Sequence, residues 1–109
     1  MIDLCKDNFD RELESTSNLI VIDLYAEWCG PCKMLAPHLE ELDSELSGIK
    51  FARINVDKEV ELAELFKVRE IPMLAFVKNN VLLDFDVGYR TKEQLISLIK
   101  EMDKNEDKA

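Results

Sequence analysis

The sequence predicts an α/β domain: a central mixed sheet of five strands, in the chain order β-α-β-α-β-α-β-β-α, flanked by four helices. Three observations carry this. "NLIVIDLY" (18–25) is a near-continuous, β-branched apolar run, the pattern of a parallel-sheet strand covered on both faces. "KFARINVD" (50–57) is a second such segment, and a helical repeat of leucines separates the two. Strands that alternate with helices build a sheet with helices packed against it.

Each element has its own local signal. "MIDL" at the start reads as a short edge strand, followed by a helix over 8–14. After the 18–25 strand, Leu35, Leu39, Leu42 and Leu46 recur at spacings of four, three and four, which is one face of a helix. Pro37 lies inside that pattern and is expected to kink it, because proline has no backbone N–H; Gly48 supplies the stop. Residues 58–67 read as a short helix from the spacing of Val60, Ala63 and Phe66. Residues 72–88 read as a hairpin turning at Asn79-Asn80, where asparagine tolerates a left-handed backbone. Thr91 and Gln94 form a capping box for the last helix, whose buried face is expected to be Leu95, Leu98, Ile99 and Met102. The chain is expected to form one domain over residues 1–109, with the charged segment 103–109 frayed because it has nothing to bury.

Composition narrows the function classes. A hydrophobic content of 47% with 34% charged residues suits a globular chain that buries a core without staples. A formal net charge of −9 argues against a phosphate-backbone partner, so no nucleic acid is expected. No apolar run approaches the roughly 20 residues of a membrane helix, and no basic region followed by an apolar stretch opens the chain. A cytoplasmic, reducing compartment is the expectation. Three cysteines, an odd number, also fit poorly with a secreted disulfide scaffold.

The chemistry concentrates in "WCGPCK" (28–33), where Cys29 and Cys32 lie between the end of a strand and the start of a helix. That is the edge of an open α/β sheet at which functional groups collect. Two thiols at this spacing fit a metal half-site, a structural disulfide or a redox dithiol. Cys5, Cys29, Cys32 and His38 have the composition of a Cys₃His metal site. At about 100° per residue, however, His38 falls roughly opposite Cys29 on the helix, so no metal site is assigned. A disulfide across three residues closes too short a loop to stabilise the fold much. The redox dithiol uses every neighbour. Cys29 at a helix N-terminus is favoured as thiolate by unpaired N–H groups and the helix dipole. Pro31 fits the first turn, where its missing N–H costs nothing. Cys32, one turn in, is expected to be more covered, so that Cys29 attacks and Cys32 resolves. Asp23, a carboxyl group within an apolar strand, is expected to have a raised pKa and to exchange a proton with Cys32.

"WCGPCK" resembles the active site of the thioredoxin family. The likeness extends through "DNFD" (7–10), "VIDLYAEWCGPCKMLAP" (21–37), "FARINVD" (51–57), "VREIPM" (68–73), "DVGY" (86–89) and the last helix. It implies the thioredoxin fold and a thiol-disulfide oxidoreductase: a small electron carrier that reduces protein disulfides through Cys29 and Cys32. It implies the proton-exchange role for Asp23, with Gly30 and Pro31 shaping the active-site turn. It also implies a cis proline at Pro72, and a docking groove for extended peptides made of Trp28, Ile71, Pro72, Val87 and Gly88. Implied partners are disulfide-containing protein substrates and a thioredoxin reductase, with no bound cofactor, no membrane and a monomeric state. No Gly-rich nucleotide loop is present to regenerate the dithiol internally. Two positions depart from the family pattern. Arg53 stands where lysine is usual; a permanently charged side chain approaching Asp23 would lower its pKa. Met73 stands where threonine is frequent and is expected to alter the groove. Cys5 and His38 receive no role.

Overall fold

In the computed structural model, which describes residues 1–104, the chain order is β1 (Ile2–Asp3), α1 (Phe9–Glu14), β2 (Ile20–Tyr25), α2 (Gly30–Glu45), β3 (Lys50–Asn55), α3 (Val60–Leu65), β4 (Met73–Lys78), β5 (Val81–Val87) and α4 (Lys92–Lys104). The five strands form one sheet in the order β1-β3-β2-β4-β5. β1, β3 and β2 run parallel, while β4 is antiparallel to β2 and β5 to β4, so the sheet is mixed as expected. β1 lies at one edge, and β2 is central and almost wholly buried.

Alternation along the strands sorts the core into two layers. Ile20, Ile22 and Leu24 of β2 meet Leu13 of α1 and Leu62 of α3 on one face. Leu19 before β2 and Val21 within it share the other face with Leu35, Leu39 and Leu42 of α2 and Leu95 and Ile99 of α4. Asp23 follows Val21 by two residues, so it points to the α2 side. The two helices of that side are also clamped by Lys92, whose Nζ lies 2.8 Å from both Glu41 and Glu45 carboxylates.

Several boundaries differ from the sequence expectation, each for a local reason. β3 stops at Asn55 because the Asn55 Oδ1 accepts the backbone N–H groups of Asp57 (3.0 Å) and Lys58 (3.3 Å), which turns the chain. α3 accordingly starts only at Val60, and Lys67 at φ 54° follows its end. Its buried face is Leu62 with the following Phe66; Val60, expected inside, is exposed. α2 runs through Pro37 to Glu45, and Gly48 (φ 88°) turns the chain into β3. Asn79 and Asn80, at φ 53° and 63°, make the hairpin turn as expected. Both halves of the capping box form: Thr91 N–H donates to Gln94 Oε1 (2.9 Å) and Gln94 N–H to Thr91 Oγ1 (3.2 Å). The expected fray begins too early at 103, since Asp103 and Lys104 complete α4; residues 105–109 of that segment lie outside the described residues.

Candidate active site

Cys29 occupies the N-cap position of α2, its backbone still extended (φ −86°, ψ 112°), and Pro31 sits in the first turn. The two cysteines are joined as a disulfide, with Cα atoms 5.3 Å apart. The Cys32 backbone N–H points at Cys29 Sγ (3.3 Å), so the sulfur takes the place that a serine or aspartate oxygen fills in an ordinary N-cap. A thiolate at this position would receive the same N–H and the positive end of the helix dipole.

The expected contrast between an exposed Cys29 and a covered Cys32 is only partly present. Both are buried, at 5% and 2% exposure, because their side chains turn inward against Ala26, Tyr25, Val56 and Ile71. The exposed parts of the motif are Trp28, at 71%, and Gly30, Pro31 and Lys33. Trp28 is held by its indole N–H, which donates to Asp57 Oδ2 (2.8 Å). Asp57 was not among the candidates; it lies 29 residues away and only the β3–α3 turn brings it close.

The Ile71-Pro72 bond is cis. The Ile71 carbonyl oxygen lies 3.9 Å from Cys29 Sγ, and the Gly88 N–H donates to the Pro72 carbonyl (2.8 Å). These contacts connect the end of β5 to the loop that touches the disulfide. Gly88, at φ 99°, has a backbone conformation that glycine adopts more readily than other residues. Val87 and the neighbouring Tyr89 are exposed. Met73 does not reach this surface: it is 5% exposed and packs with the α1 and α3 layer, so the expected effect on the groove is not supported. His38, which received no role from the sequence, hydrogen-bonds through Nε2 to the Tyr89 hydroxyl at 2.9 Å. Cys5 lies beyond β1, half-buried and unpaired.

Asp23 is 2% exposed, and its Oδ1 is the one buried side-chain oxygen or nitrogen without a hydrogen-bond partner among the described residues. Burial raises its pKa to about 7, opposed by the charge of Arg53. Asp23 and Cys32 line the same cavity of about 180 Å³, whose wall is mostly apolar. Arg53 also lines this cavity, but its guanidinium is bonded elsewhere. Nε and Nη2 reach the two oxygens of Asp3, and the guanidinium carbon sits 5.7 Å from the centre of the Tyr25 ring. Among the described residues no group of three or more His, Cys, Asp or Glu side chains is placed to hold a metal ion. No described helix is long and apolar enough to cross a membrane.

The family profile described as Thioredoxin matches residues 1–101. The chain belongs to the thioredoxin family. It is 42% identical over 85 residues to a thioredoxin of Chlamydia caviae, covering 78% of this chain and 83% of that one. Against the Bacillus subtilis thioredoxin it is 40% identical over 87 residues, 79% and 84% of the two chains. The Mycoplasma pneumoniae thioredoxin is 31% identical over 90 residues, 83% and 88% of the two. With the disulfide at its helix N-terminus, the protein is a thiol-disulfide oxidoreductase with protein-disulfide reductase activity, and Cys29–Cys32 is its redox pair.

Proposed function

We propose that the protein is a cytoplasmic, monomeric electron carrier that reduces disulfides of other proteins without a bound cofactor and is itself reduced by a thioredoxin reductase. The Cys29 thiolate attacks one sulfur of the target disulfide. A Cys29–target disulfide forms, and the other target sulfur leaves as a thiolate. Cys32 then gives its proton to the Asp23 carboxylate and attacks Cys29 Sγ; the Cys29–Cys32 bond forms and the second target thiolate departs. Two electrons pass to the target, whose thiolates take up protons from solvent. The external reductase returns two electrons to the Cys29–Cys32 disulfide.

One observation carries these roles: Cys29 caps α2 while Cys32 and the unpartnered Asp23 face one cavity beneath it. A base whose pKa lies near the working pH is well matched to a thiol proton. Trp28, Ile71, Pro72, Val87 and Gly88 form the docking groove; the exposed Trp28 and Val87 offer apolar surface, and the loop backbone offers hydrogen-bonding groups. Such a groove accepts extended peptides of varied sequence.

Trapping tests the assignment. Cys32→Ser should accumulate a stable mixed disulfide with target proteins, because nothing resolves it, whereas Cys29→Ser should trap little. Equal trapping by both variants, or more by the second, contradicts the roles. Undiminished activity of the double serine variant would make the protein a binding module instead.

A further inference from the structure

The sheet register places three charged residues in a line. Asp3 of β1 is opposite Arg53 of β3, and Arg53 is opposite Asp23 of β2. Residues opposed across neighbouring strands share a face, so Arg53 has a carboxyl group on either side. Its guanidinium takes the outer one, with Nε and Nη2 directed to the two Asp3 oxygens, and it lies over Tyr25. The inner carboxyl oxygen, Asp23 Oδ1, is left without a partner.

We propose that Asp3 is a positioning residue: it holds the Arg53 guanidinium at the outer edge of the sheet, off the Asp23 carboxyl, and so keeps Asp23 basic enough to take the Cys32 proton. The inference rests on the proton-exchange role proposed for Asp23. Two features make the outer site the preferred one. Asp3 is largely exposed, so the hydrogen bond from Arg53 outweighs the smaller cost of desolvating its charge, and its two oxygens accept the arginine fork as a pair. Moving the guanidinium inward would take it into a mostly apolar cavity.

The shifts agree in direction. Arg53 lowers Asp3 first through the hydrogen bond, and Asp3 raises Arg53 in the same way. On Asp23 the arginine acts only through its charge, against the larger effect of burial. The other titratable groups around the Asp23 cavity are Glu27, Lys33 and Glu40, with the Tyr25 phenol and Cys32 itself. The α-amino group of Met1, whose residue also lines the cavity, is paired with Asp43. Leu74, opposite Asp23 on β4, adds no charge. Of these only Tyr25 meets the guanidinium, through its ring face; the side-chain hydrogen bonds that hold Arg53 go to Asp3.

Carboxyl-carbon NMR titration of Asp23 in the oxidised protein tests this without the thiols, at low salt where exposed pairs act most strongly. Asp3→Asn should lower the Asp23 midpoint by about 0.5 pH unit, the scale of an exposed ion pair, and Asp3→Glu should restore it. In an Arg53→Ala background Asp3→Asn should have almost no effect, because there is no guanidinium to release. An unchanged midpoint in Asp3→Asn overturns the inference. So does an equal shift in both backgrounds, which would mean that Asp3 acts by its own field. The acid limb of the pH–rate profile for target release should move with the midpoint. If the midpoint moves and the rate profile does not, the placement of Arg53 stands and the proton-exchange role of Asp23 fails.

Discussion

The sheet edge at β1 and its centre at β2 treat the same side chain in opposite ways. Asp3 and Asp23 flank one arginine in one row, yet Asp3 is exposed with its pKa lowered by Arg53, while Asp23 is buried with its pKa raised to about 7. Water and a paired guanidinium stabilise the charged form at the edge. At the centre, loss of water outweighs the more distant charge of the same guanidinium. The strand position, more than the residue type, decides which carboxyl group stores a proton near neutrality.

The sharpest way to break the comparison is to move the central carboxyl by one residue. Ile22 is fully buried in the opposite layer, against α1 and α3, and does not line the cavity that Asp23 faces. Ile22→Asp should therefore destabilise the protein by about 3–5 kcal/mol, the cost of an uncompensated buried charge, measured by chemical denaturation at pH 7. A loss under about 1 kcal/mol would mean that either face tolerates a carboxyl group, and that the cavity is not what permits Asp23.

Removing the central carboxyl should have the opposite sign. Well below pH 3.8 both the folded and the unfolded chain keep the Asp23 proton, and the group makes no pH-dependent contribution to stability. Between 3.8 and about 7 the folded protein alone holds the proton, so wild-type stability falls as pH rises; above 7 the loss is complete. Asp23→Ala should thus melt close to wild type at pH 4 and become more stable towards pH 8. The difference is bounded by about 4 kcal/mol and is reduced by the gap the substitution leaves. The variant should also reduce target disulfides more slowly. Lower stability than wild type at pH 8 would show that Asp23 supports the fold.

The features visible in the sequence were those set by neighbours along the chain. The Asn79-Asn80 turn, the Thr91–Gln94 box, the buried β2 and the cysteine at a helix start each need only a few adjacent residues. The short α3 was misread because six residues contain too few turns for a face to declare itself, and Val60 is as apolar as Leu62. The Arg53–Asp3 pair was invisible because it depends on the register of strands 50 residues apart. The same holds for Asp57 beneath Trp28, and for Tyr89 on His38. Within the site, then, the thiols and the buried acid could be read from local pattern, whereas the groups that position them could not.

The most direct test of the account is a single titration of both aspartates. Carboxyl-carbon chemical shifts of Asp3 and Asp23, followed from pH 2 to 9 in the oxidised wild-type protein, should give one midpoint below 3.8 and one near 7. An Asp23 midpoint close to 3.8 would contradict the account, because a carboxyl group ionised throughout the neutral range could not be the stored proton site beneath Cys32.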